Sequence, residues 1–151
     1  MKGILLEQLQ TTHNKEDWYV PIKIAVEGLT PEQAKWTDGK GNHSIGQLVN
    51  HLAFWDARGL QQFKREKPGA FSGNNDETFN SFDSKTWTAT VERLDSVMRA
   101  WEKAVEDADD AKISASASQI AHIGAHNAYH LGQIIYIRKL QGSWNPANGV
   151  K

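Results

Sequence analysis

Three histidines, His51, His126 and His130, have a spacing that would let them hold one metal ion. His126 and His130 stand four residues apart in the stretch AHNAYHLGQ, which the sequence predicts to be helical. Because a helix turns about 100° per residue, both imidazoles leave one face, about 6 Å apart along the axis. His51 lies in a second predicted helix, in the stretch NHLAFWD. Three neutral imidazoles around a divalent cation leave positions open for water or a substrate, as in catalytic metal sites.

The other three of the six histidines are weaker candidates for ligation. An isolated histidine is more often a hydrogen-bonded core or surface residue, and we expect this of His13 and His43. His122 extends the helical series by a further turn, but it lies about 80° round the helix from His130. We therefore place His122 beside the ligands or at the edge of the site. Three buried imidazoles would be costly to leave without partners, and a shared metal ion satisfies all of them.

A few polar and aromatic side chains are candidates for the surroundings of the site. Gln133, three residues after His130, could orient a water on the ion or hydrogen-bond a ligand imidazole. Trp18 and Tyr19 could form a wall of the substrate pocket or could simply belong to the core. Asp56 is expected beside the ligands or at the surface. No side chain is assigned a catalytic role from the sequence.

The composition indicates one globular domain that covers residues 1–151. A chain of 151 residues is long enough to bury about two-thirds of its unfolded surface. Its 17 basic and 18 acidic residues nearly cancel, and no basic run is present on which a nucleic acid would bind. The absence of cysteine excludes disulfides and thiolate metal ligands. No stretch approaches the ~20 apolar residues of a membrane span, so we expect a cytoplasmic protein without a membrane partner.

The spacing of apolar residues predicts four long helices. The first runs from about Lys2 to Gly28, and Pro21 should kink or split it because proline lacks the amide hydrogen. The second begins at Ser44, which can form a capping box with Gln47, and continues to about residue 65.

The third predicted helix covers about residues 85–108, and the fourth about 116–141. Between the second and third helices, residues 67–84 are rich in Gly, Ser, Asn and Asp and predict a long loop. Phe79 and Asn80 in this loop could form a lid. Four helices with one apolar face each favour an all-α four-helix bundle, a fold that commonly holds metals between facing helices.

Two segments of the chain resemble the sequence pattern of the DinB-like (YfiT-like) superfamily of metal-dependent enzymes. HLAFWD at 51–56 is similar to the family's second-helix histidine segment, and HNAYHLGQI at 126–134 to its fourth-helix segment. The lead-in WTDGKGNHSIGQ and the ending GSWNPANG are similar as well. The resemblance extends from about Trp18 to Gly149, and the combined pattern is more specific than either half.

The resemblance implies an up-down-down-up four-helix bundle with a divalent metal ion held by His51, His126 and His130. It also implies a homodimer. Characterised relatives include thiol S-transferases, which attach a low-molecular-weight thiol to an electrophilic small molecule, and isomerases that use such a thiol.

Three functions remain open from the sequence. In the first, Zn²⁺, Ni²⁺ or Fe²⁺ lowers the pKa of a bound thiol or water, which gives thiol transfer or hydrolysis of a small molecule. In the second, the ion only stabilises a non-catalytic, stress-related dimer, and a fourth protein ligand closes the site. In the third, the histidines are hydrogen-bonded within an ordinary bundle that holds no metal.

Overall fold

The computed structural model describes residues 1–150, and these residues contain helices and no β-strand. The predicted all-α class is therefore confirmed. No helix in this part of the chain is both long and apolar enough to cross a membrane. The α-helices are α1 (Lys2–His13), α2 (Ile22–Ala25), α3 (Pro31–Lys35), α4 (Ile45–Phe63), α5 (Glu77–Asn80), α6 (Trp87–Asp107) and α7 (Asp110–Leu140), and 3-10 turns cover Ser84–Thr86 and Pro146–Asn148.

Helix α4 begins where the sequence predicts. The Ser44 hydroxyl accepts a hydrogen bond from the Gln47 amide at 3.2 Å, and the Gln47 side-chain oxygen accepts from the Ser44 amide at 2.9 Å. This capping box satisfies two amides that the first turn of a helix leaves without partners. The helix then buries Leu48 and Leu52 together with His51.

The first predicted helix is split into α1 and the short helix α2, which begins directly after Pro21 as the expected split allows, but residues 14–21 between them are not helical. Helix α1 ends at His13, and Asn14 leaves the helical conformation with φ −147°. Residues 14–21 are irregular, and Pro21 precedes α2 in extended conformation. Val20 is buried but Trp18 is 89% exposed, so the apolar residues of this segment do not form one face of a helix.

Helix α7 is longer than predicted. It begins at Asp110 because the Asp109 carboxylate accepts a hydrogen bond from the Lys112 amide at 2.8 Å and so caps the helix. Its first two turns contain few apolar residues, so apolar periodicity does not predict that the helix begins this early. The predicted loop at 67–84 also differs, since it contains the short helix α5.

The four long helices enclose one core. Helix α4 packs against α6 and α7, and α1 packs against the same two helices. Trp101 of α6 is almost fully buried in this core, and its indole N–H donates to the Asp56 carbonyl at 2.8 Å. Burial of each large apolar side chain contributes about 1.5–3 kcal/mol, so this core holds α4 and α7 in fixed register.

Candidate metal centre

Helices α4 and α7 bring the three predicted ligands together. One ring nitrogen each from His51, His126 and His130 lies within 4.8 Å of the other two. The Nε2 atoms of His51 and His126 are 3.2 Å apart. Two nitrogen lone pairs this close repel each other unless a proton or a cation lies between them. The geometry therefore suits a shared cation.

Thr78 fixes the ring of His51. The Thr78 hydroxyl donates to the Asn75 carbonyl at 2.7 Å and lies 2.6 Å from the Nδ1 atom of His51. Because the hydroxyl proton is used by that carbonyl, the hydroxyl oxygen must accept from Nδ1–H. Neutral His51 thus carries its proton on Nδ1 and leaves the Nε2 lone pair for the centre of the cluster.

Gln133 fixes His130 in the same way. Its side-chain oxygen lies 2.6 Å from the Nδ1 atom of His130. An amide oxygen only accepts hydrogen bonds, so Nδ1 is the donor and Nε2 keeps its lone pair. Of the two roles expected for Gln133, the structure shows the hydrogen bond to an imidazole.

The ring of Phe79 lies between the rings of His51 and His43 and stacks on both. The centroid of the Phe79 ring is 3.9 Å from that of His51 and the same distance from that of His43. Phe79 and Thr78 both belong to α5 and are both buried. The sequence did not identify Thr78, because a helix of one turn is too short to show a periodic pattern of apolar residues. The one indication in the sequence is that Thr78 and Phe79, which can both be buried, stand next to each other in a polar loop.

The three imidazoles are neutral at pH 7. Burial, and to a smaller extent repulsion from the other histidines, lowers the pKa of His51 to about 3. Burial and His130 likewise lower the pKa of His126 to about 4. Burial also lowers the pKa of His130, against an opposing effect of Gln133. Since metal ions bind the neutral imidazole, no proton has to be displaced from these rings at pH 7.

A cavity of about 790 Å³ opens beside the three histidines. It follows the groove between α4 and α7, and Asn75 and Phe79 contribute from the connecting segment. His122 lines the cavity but is outside the cluster of three rings. The role of His122 beside the ligands or at the edge of the site stays a prediction.

Trp18 and Tyr19 do not line this cavity. Trp18 is 89% exposed, and the Tyr19 hydroxyl lies 3.1 Å from the hydroxyl of Thr12. The expectation that they wall the pocket does not agree with these positions. Since α1 ends at His13, both residues lie in the irregular segment beside α1 and not on a helix face directed at the site.

His13 and Asp56 are buried outside the metal cluster. His13 contacts Glu102 through Nδ1 at 2.5 Å and Asp95 through Nε2 at 2.7 Å, in agreement with the hydrogen-bonded core role expected of it. Asp56 is fully buried, so its expected surface alternative is wrong. Its carboxylate accepts from the side-chain amide of Asn127 at 2.8 Å.

The comparison with protein families agrees with this geometry. A family model described as the DinB superfamily matches residues 22–134, which is well over half of the chain and includes all three clustered histidines. No curated protein and no solved structure gives a significant match. The extent of the family match establishes that the chain belongs to the DinB superfamily.

Proposed function

We propose that His51, His126 and His130 hold a divalent metal ion and that the protein is a metal-dependent enzyme. The observation that carries the proposal is the convergence of three neutral imidazoles beside an open cavity. Zn²⁺, Ni²⁺ and Fe²⁺ suit imidazole ligands. Such an ion would lower the pKa of a coordinated thiol or water and so supply a nucleophile at neutral pH.

The protein groups around the site orient its ligands and cover part of His51. Thr78 and Gln133 each hold the Nδ1 side of one imidazole, so that the Nε2 lone pairs stay directed at one point. Phe79 covers one face of His51. Trp55 lines the cavity, and its indole N–H donates to the Asn75 side chain at 3.0 Å, which holds the indole in place.

An enzymatic role is favoured over a purely structural ion. In residues 1–150 the cluster contains three potential ligands, and no fourth His, Asp or Glu joins it. A structural zinc site usually has four protein ligands, whereas a catalytic one keeps a position for substrate. We propose that the reaction is thiol transfer to an electrophilic small molecule. Hydrolysis is the first alternative, and a non-catalytic metal-binding dimer is the second alternative.

We also infer that α1, α4, α6 and α7 form the up-down-down-up bundle that the resemblance implies. Arg93 of α6 donates to Asn50 of α4, and Trp101, later on α6, donates to the carbonyl of Asp56, later on α4. The contacts advance in the same direction along both helices, which supports parallel α4 and α6. Gln119 of α7 donates to the Gly59 carbonyl, and Asn127, further along α7, donates to Asp56, which comes earlier on α4; this supports antiparallel α4 and α7. Lys2, the first residue of α1, donates to the carbonyl of Glu106 near the end of α6, which supports antiparallel α1 and α6.

A homodimer is a further part of the proposal. Tyr129, Tyr136 and Leu140 lie on one face of α7 and are 65%, 64% and 53% exposed. An exposed aromatic face of this kind is typical of an interaction surface, and two copies can pair through it about a two-fold axis. Light scattering should give the mass of two chains for the wild type and of one chain for Tyr136→Glu. A monomeric wild type at micromolar concentration would contradict the dimer.

Metal analysis tests the site directly. Protein prepared without a polyhistidine tag should bind one equivalent of Co²⁺ or Zn²⁺, and His51→Ala, His126→Ala and His130→Ala should each lose most of it. His122→Ala is the matched control, because His122 lines the same cavity outside the cluster. A panel of thiols and electrophiles should then show turnover that requires both the metal and His51. Absence of metal from the wild type, or equal loss in His122→Ala, would refute the assignment.

A further inference from the structure

The cavity beside the histidines has a charged far end. We propose that the substrate carries an anionic group, such as a carboxylate, and that Arg58 binds this group while the opposite end of the substrate reaches the histidines. This inference rests on the proposed metal-dependent function, because it assumes that the reacting end lies at the three histidines.

The helices place Arg58 at a defined distance from the histidines. Arg58 follows His51 by seven residues on α4, and both line the cavity. Seven residues are about two helical turns, so the two side chains leave similar faces about 10 Å apart along the axis. On α7, Ser118 and Gln119 line the cavity about three turns before His130. The histidines and Arg58 are thus at separate positions along one groove.

Arg58 is held in place by neutral groups. Its Nη1 atom donates to the Gly69 carbonyl at 2.9 Å, and its guanidinium carbon lies 5.4 Å from the centre of the Phe71 ring. A guanidinium has five N–H donors, and within residues 1–150 the Gly69 carbonyl is its one hydrogen-bond acceptor. The remaining donors are available to a ligand in a fixed fork that suits a carboxylate.

No carboxylate of residues 1–150 forms an ion pair with Arg58. The residues that line the cavity include no Asp or Glu, and none of the ion pairs in the described part of the chain involves Arg58. The nearest carboxylate along α4 is Asp56, which is fully buried and bonded to Asn127. A half-buried cation with only neutral neighbours attracts an anionic ligand, and a charge-assisted hydrogen bond is stronger than a neutral one.

Apolar side chains occupy the stretch between the two ends. Trp55 and Ile123 line the cavity between the histidines and Arg58 along their helices. The geometry therefore fits a small organic molecule with a metal-binding group at one end, a carbon chain or ring in the middle and an anionic group at the other end.

Thiols of known length are suitable probes for this arrangement. Co²⁺-loaded protein would be titrated with 3-mercaptopropionate and 6-mercaptohexanoate, each compared with its primary amide, and binding followed by the thiolate-to-Co²⁺ absorption. At one of these lengths the wild type should bind the acid at least about tenfold more tightly than the amide, as expected for a charge-assisted bond. Arg58→Gln should bring this ratio close to one without changing Co²⁺ content.

Two further variants separate the charge of Arg58 from effects on folding. Arg58→Lys should keep part of the preference for the acid. Lys85→Gln is the matched control, because it removes an exposed positive charge from a residue outside the cavity. It should keep the full preference, and all variants should show the wild-type Co²⁺ spectrum before thiol is added.

The outcomes distinguish this inference from the proposed function. Normal Co²⁺ binding with equal affinity for acid and amide at both lengths, or a preference that Arg58→Gln retains, would overturn the anion-binding end alone. Wild-type protein that bound no Co²⁺ would overturn the metal site, and the inference that depends on it would fail as well.

Discussion

The Nδ1 nitrogen of His51 donates a hydrogen bond to the hydroxyl of Thr78 across 2.6 Å, and this bond joins α4 to the one-turn helix α5. It selects the tautomer of His51 whose Nε2 atom is free to bind a metal ion. The connecting segment between α4 and α6 therefore takes part in the site.

Thr78→Val should weaken metal binding about 10- to 100-fold, the usual cost of losing a hydrogen-bond partner of a ligand histidine. Valine fills nearly the same volume but cannot accept from Nδ1–H. Competition with a chromophoric chelator would measure the affinity, and Thr78→Ser should restore most of it.

Thr90→Val is the control for this substitution. Thr90 is also buried, and its hydroxyl donates within α6 to the Thr86 carbonyl at 3.0 Å. Similar losses in both variants, or an unchanged affinity in Thr78→Val, would contradict the orienting role of Thr78.

The sequence predicted the part of the site that has helical periodicity. His126 and His130 are one turn apart on α7, and the three rings converge as their spacing indicated. Thr78 was missed, and Phe79 was noted only as a possible lid residue, because their positions beside His51 depend on how a polar loop folds back onto α4. Arg58 was also missed, since its role depends on a cavity that only the packing of α4 against α7 creates.

The bounds of the helices likewise divide into those determined by neighbouring residues and those that involve distant ones. The capping box at Ser44 is local chemistry, and the predicted start of α4 is confirmed. The last residue of α1, His13, is instead held by distant residues, because Asp95 and Glu102 of α6 bind its ring. Apolar spacing does not contain that information.

The buried ion cluster at His13 should make stability depend on pH. Burial alone would lower the pKa of His13, but hydrogen bonds and attraction from Glu102 and Asp95 outweigh it and raise the pKa above its usual value. The contribution is therefore fully present below about pH 6.5, the pKa in the unfolded chain, and is lost as the pH rises through the higher folded value.

Urea unfolding of the wild type and of His13→Gln between pH 6 and 9 would measure this contribution. The stability difference between the two proteins should shrink as the pH rises. Thr90→Val, which changes a buried residue of α6 that does not titrate, should keep the wild-type dependence on pH. A constant difference between wild type and His13→Gln across this range would show that His13 is not charged in the folded protein.

The effect of Asp56 on stability should change with pH in the direction opposite to that of an ion-paired carboxylate, whose pKa is lowered in the folded protein. Burial raises its pKa to about 7, against a smaller lowering by Asn127. The folded protein thus holds a proton that the unfolded chain releases above about pH 4, and this term destabilises the fold as the pH rises from 4 to 7. One oxygen each of Asp56 and Asn127 is buried without a hydrogen-bond partner.

Asp56→Asn should remove this loss of stability. The new amide matches the shape of the protonated acid and supplies a donor that does not titrate. Equilibrium unfolding at pH 4, 5.5 and 7 should show a gain in the variant relative to wild type that increases with pH. A variant that becomes relatively less stable toward pH 7 would indicate an ionised Asp56 in the folded state.

Two glycines should respond oppositely to alanine. A Cβ atom at Gly46, in the first turn of α4, would lie 2.1 Å from the Phe82 ring, so Gly46→Ala must displace that ring and destabilise the fold. At Gly132, an exposed position within α7, such a Cβ would meet no atom of the chain within 4 Å beyond the neighbouring helix backbone, so Gly132→Ala should stabilise the single chain by about 0.5–1 kcal/mol through helix propensity. Thermal unfolding of both variants checks the pair, and stabilisation by Gly46→Ala would show that Phe82 packs differently.

Metal affinity should depend only weakly on pH between 8 and 5.5. The pKa values of His51 and His126 are lowered to about 3 and about 4, so protons compete for these two nitrogens only in more acidic solution. Burial also lowers the pKa of His130, which reduces its competition with protons below that of an ordinary histidine. Three histidines of ordinary pKa, about 6.5, would together lose about a thousandfold in affinity between pH 7.5 and 5.5. Direct optical titration with Co²⁺ at several pH values would measure the dependence without a chelator that itself titrates. A thousandfold loss would show that the rings are solvated in the metal-free protein, and that the packing of Phe79 on His51 does not keep water from the site.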